Sequence, residues 1–241
     1  MILSDSGERL KILAIVPARG GSKGIKNKNI KLINGFPLIY YTAKIIEKIK
    51  MIDKSVVSSD SLKIIKIAKK YGLEAPFIRP KKISGDNVHD IDVLKHALET
   101  CEKNYKDKFD IVLMLQPTSP VRKKKMIIEA IKKISSKESD SVWSISKIDL
   151  KFNPKKQLKI SKDGYLDYCS KDGRNVINRQ MLDETFIRTG QIYAIKSDLI
   201  RMGKMYSKKT SFVLEKNFFA NIDSLNDLKE AENYLIKNKI F

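Results

Sequence analysis

Ile15-Val16-Pro17-Ala18-Arg19-Gly20-Gly21-Ser22-Lys23-Gly24-Ile25-Lys26-Asn27-Lys28-Asn29 carries an apolar strand straight into a glycine-rich loop loaded with fixed positive charge. Glycines let a backbone turn at positive φ and bring its N–H groups up to an anion. Arg19, Lys23 and Lys28 supply charge that can neutralise a bound triphosphate. The stretch therefore reads as a phosphate cradle at the end of a strand. Its spacing is neither the G-x-x-x-x-G-K-[ST] of a P-loop nor the G-x-G-x-x-G of a dinucleotide site, which disfavours a kinase or a dehydrogenase.

Outward from the cradle, apolar runs and helical patterns alternate, as βαβ units of a mainly parallel sheet do. Strands are expected at 11–16, 55–58, 75–78 and 110–115, and after a change of texture at 191–195, 211–214 and 218–222. Pro37 suits the first turn of a helix that turns Leu38, Tyr41, Ile45 and Ile49 to one face. Helices are also expected over 61–71, stopped by Gly72, over 90–102 with Leu94, Ala97, Leu98 and Cys101 inward, over 123–134, and over 224–237. The first and fourth strands end in the two most informative loops, where an open parallel sheet places its binding crevice. From about Ile145 to Arg188 polar residues and turns at Asn153-Pro154, Lys162-Asp163-Gly164 and Lys171-Asp172-Gly173 suggest an inserted β arm. No repeat or low-complexity linker interrupts residues 1–241, so one domain carrying that arm is expected.

With 42% apolar residues in 241, the chain has enough core to fold without staples. Cys101 and Cys169 form no C-x-x-C, so neither a disulfide scaffold nor a zinc site is supported and a reducing compartment fits. No window reaches the length of a signal region or a membrane span, and a cytoplasmic protein without membrane contact is expected. The net charge of +20 invites a nucleic-acid reading. However, the excess is mostly lysine spread along every helix, with no stacking strand or recognition helix, and reads as solvated helix faces. A favourable field for an anionic substrate is its by-product.

Together with Leu115-Gln116-Pro117-Thr118-Ser119-Pro120-Val121-Arg122, Arg179-Gln180 and Ile222-Asp223-Ser224, the cradle resembles the CMP-sialic acid synthetase (acylneuraminate cytidylyltransferase) group, including its legionaminic acid relatives. The likeness runs from about Lys11 to the C-terminus. It implies a Rossmann-like sheet of the nucleotide-diphospho-sugar transferase type with a small β-rich dimerisation insertion, and so a homodimer. It also implies the reaction of CTP with a nonulosonic acid to give the CMP-sugar acid and pyrophosphate. By this resemblance Arg19, Gly20, Gly21, Ser22, Lys23, Lys28, Asn29, Asp86 and Gln116 hold the nucleotide, while Gln116, Thr118 and Ser119 lie where nucleotide meets sugar. Arg19, Lys23 and Asp223 are the expected catalytic set.

Asp227 has a local explanation, since Ser224-x-x-Asp227 reads as a capping box. Asp223 has none, and a hard carboxylate beside a triphosphate suits Mg²⁺, so Asp223 is the expected metal ligand. Asn221 stands where many relatives carry a second aspartate. Arg179, Gln180 and Arg188 are candidates for the substrate carboxylate, because guanidinium forks match carboxylates. Aligned on Phe186 and Gly190, the position where some relatives carry their sugar-binding arginine holds Ile187, and Thr189 replaces a common asparagine. His89, Asp90 and Asp92 read as helix-start residues, with acids favoured at a helix N-terminus. His96 reads as a packed or surface imidazole. Two alternatives remain open: another nucleotide or keto sugar acid as substrate, and a relative that binds nucleotide without turnover.

Overall fold

A computed structural model describes residues 7–239 apart from 23 and 137. In chain order it runs β1 (Ile12–Pro17), β2 (Leu32–Ile33), β3 (Phe36–Pro37), α1 (Leu38–Glu47), β4 (Lys54–Ser58), α2 (Leu62–Lys70), α3 (Asp90–Tyr105), β5 (Ile111–Met114) and α4 (Lys124–Ser135). There follow β6 (Ser141–Lys147), β7 (Leu158–Ile160), β8 (Leu166–Tyr168), β9 (Phe186–Lys196), α5 (Ser197–Arg201), β10 (Thr210–Glu215) and α6 (Leu225–Lys237). Six strands form the main sheet in the order β10-β6-β9-β5-β1-β4. β1 pairs in parallel with β4 and β5, and β10 with β6, whereas β9 runs antiparallel between β5 and β6.

Both faces of the sheet are covered, which is why its central strands read as continuous apolar runs. Ile12, Ala14 and Val16 of β1, with Ile111 and Leu113 of β5, pack on Ile39 and Ile46 of α1, Ile64 and Ala68 of α2 and Ile127 and Ile131 of α4. The alternate residues Leu13, Ile15, Val112 and Met114 pack on Leu94, Ala97, Leu98 and Cys101 of α3 and on Leu199 and Ile200 of α5. The four inward residues expected of α3 are all fully buried. A third cluster joins α6, through Leu228, Ala231 and Leu235, to Leu38, Tyr41, Val121 and Ile222.

Helix ends follow their sequence cues. Ser61 caps α2, Pro37 stands at the N-cap of α1, and Gly72 has a φ of 95° just past α2. Ser224 and Asp227 form the reciprocal capping box of α6.

Two expected strands are absent. Over 75–78 no pairing forms; the ladder stops at the bridge between Val56 and Glu74, because Pro76 lacks the N–H that would continue it and the chain turns away toward Arg79. Residues 218–222 are irregular: Phe218 lies flat on Tyr234 at 4.7 Å, and Ala220 and Ile222 fill the third cluster, so their apolar character serves α6 rather than the sheet.

The arm is narrower than its sequence texture suggested. β6 extends through Lys147 and β9 starts at Phe186, both in the main sheet. Between them lie short 3-10 turns and the β7–β8 hairpin.

Candidate active site

The carboxyl ends of β1, β4 and β5 and the start of the antiparallel β9 lie along one edge of the sheet, so the loops that leave them face one another. A cleft of about 510 Å³ opens there. It is lined by the cradle (Arg19, Ser22, Gly24, Lys28, Asn29), the Gln116-Pro117-Thr118 loop, the segment from Arg79 to Asp90, and Asn221 with Asp223.

The cradle is tied down from several sides. Ala18 N–H donates to Ser58 O at 2.9 Å and Gly20 N–H to the Asp60 carboxylate at 2.8 Å, which anchors the loop to the end of β4. The Asn29 amide donates to Arg19 O at 3.0 Å, and Asn27 supplies a left-handed turn with φ 57°. A methyl group on Gly24 would lie 2.9 Å from Asp223 O, so the glycine lets the cradle touch the Asp223 segment. Gly24→Ala is therefore expected to part the two and lower turnover at least about tenfold while the melting temperature changes little; steady-state kinetics beside a thermal melt checks this. Lys23, an expected catalytic residue, lies outside the described residues.

Charges pair across the cleft. The Arg19 guanidinium sits 2.5 Å from the Asp86 carboxylate, and Lys28 Nζ sits 2.8 Å from Asp223 Oδ1. The Asn221 amide donates to the other Asp223 oxygen at 3.3 Å. The Asp223 backbone is fixed from behind, since its N–H and that of Ser224 donate to Asp227 at 2.9 and 2.7 Å. Those two backbone donors hold the Asp227 carboxyl below its ordinary pKa.

Arg79, Asp90 and Arg122 bear on the site beyond what their sequence context signalled. Arg79 is buried against the cleft with Nε and Nη2 unpartnered among the described residues, and burial lowers its pKa. Only the adjacent Pro80 marks it in sequence. Asp90 begins α3 as expected but also lines the cleft; burial raises its carboxyl pKa against the lowering effects of Arg188, Arg79 and His89. Arg122 is buried beneath the Gln116 loop, and burial depresses its pKa to about 9. Sequence marks it only as the end of the second motif.

The expected sugar-side residues separate. Gln116 and Thr118 line the cleft, and Ser119 is fully buried behind them. Arg179 and Gln180 stand on an exposed 3-10 turn of the arm, away from the cleft lining. Arg188 is re-aimed by a bulge. Trp143 pairs with Tyr193 but Ile145 with Arg188, so Ser144 alone faces Thr189, Gly190, Gln191 and Ile192. This odd excess brings Arg188 and Tyr193 to the same face of the strand. Accordingly the Arg188 guanidinium lies 5.4 Å over the Trp143 ring, near enough to Asp90 to lower its pKa.

A family model described as cytidylyltransferase matches residues 13–240. The chain belongs to the cytidylyltransferase family. It is 34% identical over 231 residues to the post-translational flagellin modification protein B of Campylobacter coli, covering 95% of this chain and 96% of that one. It is 32% identical to the CMP-N,N'-diacetyllegionaminic acid synthase of Campylobacter jejuni subsp. jejuni serotype O:2, covering 95% and 96%, and 30% identical to the pseudaminic acid cytidylyltransferase of the same strain, covering 92% and 95%. Among solved structures, a CMP:2-keto-3-deoxy-manno-octonic acid synthetase complexed with CTP superposes with a TM-score of 0.71 at 14% identity, over 95% of this chain and 99% of that one. That likeness places the sheet in the cytidylyltransferase architecture. As a member of this family the chain is a nucleotidyltransferase. Among the described residues no helix is long and apolar enough to cross a membrane.

Proposed function

We propose that the cleft joins CTP to a nonulosonic acid of the legionaminic, pseudaminic or sialic type, releasing pyrophosphate. The observation that carries this reading is the convergence, in one cleft, of cradle cations, a carboxylate–amide pair at Asp223 and Asn221, and the neutral polar loop Gln116–Thr118. The cations suit a triphosphate, and the neutral loop suits a polyhydroxylated acid. In this reading Arg19, Lys23 and Lys28 take the phosphates, and the orphaned Arg79 nitrogens offer donors to the nucleotide. The sugar hydroxyl attacks the α-phosphorus in line, and the cradle absorbs the charge that collects on the leaving pyrophosphate. Among the candidates for the sugar carboxylate, Arg188 is the one whose charge acts on a cleft residue, Asp90.

The donor set suits Mg²⁺. Asp223 is an accessible carboxylate at the rim, and this ion takes one or two carboxylates and completes its shell with water and phosphate oxygens. Bound there, the ion would neutralise phosphate oxygens and favour departure of pyrophosphate. Lys28, which now pairs with Asp223, would turn to the phosphates.

The test is pyrophosphate release with Mg²⁺, crossing CTP and GTP against legionaminic, pseudaminic, sialic and an eight-carbon keto acid. Turnover with CTP and a nine-carbon acid supports the reading. CTP binding without release under any metal level would replace it with an inactive nucleotide-binding protein.

A second copy of the chain is the proposed partner of the arm. Ile160 (73%), Tyr165 (76%), Leu166 (69%) and Ile177 (89%) are exposed on the hairpin and the turns beside it, an apolar concentration that solvent does not favour. A dimer in sedimentation, converted to monomer by Leu166→Asp with Ile177→Asp, is the expected result. The unpaired Cys101 and Cys169 accord with a reducing, cytoplasmic setting.

A further inference from the structure

β4 passes into α2 through Ser58-Ser59-Asp60-Ser61, none of which lines the cleft. Yet three hydrogen bonds from two walls of the cleft end on this turn. Ala18 N–H donates to Ser58 O at 2.9 Å, Gly20 N–H to Asp60 Oδ1 at 2.8 Å and Arg79 N–H to Ser59 O at 2.8 Å. The first two fix the backbone on either side of Arg19, and the third fixes the backbone of Arg79. The turn itself is firmly held, since Ser58 and Ser59 are fully buried and Ser61 N–H donates to Ser59 Oγ at 3.1 Å. A methyl group on Gly20 would lie 3.0 Å from Ser61 Cβ and 3.7 Å from Asp60 Oδ1, so the cradle rests directly on the turn with no space for a side chain between them.

Of the four residues, Asp60 alone grips the cradle with its side chain. An acid just before a helix has a local use in complementing the helix dipole. The cap of α2, however, belongs to Ser61, whose Oγ accepts from Ile64 N–H at 3.4 Å, while the Asp60 carboxylate is bonded to Gly20. A carboxylate accepting from a backbone N–H makes a charge-assisted bond, shorter and stronger than a neutral one. Its charge reaches further. Burial disfavours the charged form of Arg79, and among the surrounding charges Asp60 acts first to favour it, ahead of Arg19, which opposes it. One carboxylate behind the lining thus serves two guanidiniums of the cleft, by a bond to the backbone beside Arg19 and by its field on Arg79.

We propose that Asp60 is a positioning residue for the nucleotide: through Gly20 it sets the direction in which Arg19 leaves the cradle, without touching the ligand itself. This rests on the cytidylyltransferase reading above and adds a residue outside the lining on which that chemistry depends. A displacement of about 1 Å in a charge-stabilising group is enough to cost an order of magnitude or more in rate, so the effect should be visible although Asp60 is remote from the reacting atoms.

The test uses the full chain with Asp60→Ala, Asp60→Asn, Asp60→Glu, Arg19→Ala and the double variant Asp60→Ala with Arg19→Ala. Four quantities are read: CTP affinity by equilibrium titration, amide hydrogen exchange over residues 18–24, and kcat and acceptor KM with whichever of N,N'-diacetyllegionaminic, pseudaminic or N-acetylneuraminic acid turns over. Asp60→Ala is expected to weaken CTP about tenfold and lower kcat about tenfold, with acceptor KM within about twofold and faster exchange in the cradle. Asp60→Asn keeps an oxygen for Gly20 N–H and should bring both losses back to within about threefold. Asp60→Glu keeps the charge but carries it one methylene too far, and should remain impaired. Because the effect passes through Arg19, the double variant should bind CTP no more than about threefold worse than Arg19→Ala alone. An aspartate needed only for folding would weaken both substrates alike and add its full effect in the Arg19→Ala background, and either result overturns the proposal. Wild-type CTP affinity in Asp60→Ala, or an Asp60→Asn protein as impaired as Asp60→Ala, overturns it too. Should the wild type bind CTP but release no pyrophosphate with any of these acids, the substrate reading fails, and CTP titration with hydrogen exchange still decides the role of Asp60 by the same comparisons. A wild type that binds no CTP overturns both.

Discussion

Asp223→Ala should lower kcat by about a thousandfold while the protein stays folded and binds CTP in the absence of metal. The side chain is 70% exposed at the cleft rim, so its loss opens no cavity. Its partners are Lys28, at 2.8 Å, and the Asn221 amide, neither of which depends on it for packing. The capping of α6 belongs to Asp227 and Ser224, so the helix survives the change. What disappears is the carboxylate that the Asn221–Asp223 wall presents to the cleft, and with it the proposed hold on a divalent ion. Asp223→Asn should be nearly as impaired, because a second amide next to Asn221 offers weak neutral ligands only. The check is kcat across a Mg²⁺ titration with CTP affinity measured separately. A variant that keeps wild-type kcat and metal dependence removes Asp223 from the site. Asn221→Asp should act in the opposite direction, tightening the metal requirement by adding charge to the pair.

The elements legible in sequence are those whose signal is local. β1, β5 and α3 have their apolar periodicity written along them, and the caps at Ser61 and Ser224 depend on neighbours within one turn. Residues 218–222 have the same apolar look as a strand. What decides their form is distant: Tyr234 stacking on Phe218, and a single bond from Ile222 N–H to Thr118 O. β6 is the converse case. Its Ser141, Ser144 and Ser146 look unlike a central strand, yet Ser144 is buried because its hydroxyl serves the bulge of β9, accepting from Ile192 N–H at 2.9 Å.

The candidate site divides along the same line. The cradle and the Gln116 loop are contiguous motifs, and the fold brings them together at one edge. Arg79, Asp90 and Arg122 acquire their place only through tertiary contact. Nothing beside Arg122 in sequence announces that its guanidinium reaches Thr42 and Gln191. The facing of Arg188 is likewise invisible, because it depends on how many residues of β9 the bulge at Ser144 absorbs. Arg179 and Gln180, although adjacent to each other in a motif, are carried off by the arm.

Arg19→Ala is expected to reduce kcat/KM for CTP by about a thousandfold, and Arg19→Lys to recover no more than about a tenth of the loss. The residue leaves β1 directly, and its backbone is held by Asn29, so its guanidinium projects from a fixed point. Opposite it stands Asp86 at 2.5 Å. A triphosphate must draw the guanidinium from a carboxylate. It succeeds because it carries more charge and offers paired oxygens to the same fork. An ammonium group supplies the charge without the second parallel hydrogen bond, which is why lysine rescues poorly. The competition gives the prediction a second, signed arm. If Asp86 serves only to hold Arg19, Asp86→Asn should tighten CTP and the gain should vanish in the Arg19→Ala background; if Asp86 contacts the nucleotide, the same change should weaken CTP in both backgrounds. Equilibrium titration of CTP into the four proteins separates these outcomes, and an Arg19→Ala protein with wild-type CTP affinity and kcat would remove the cradle from the chemistry.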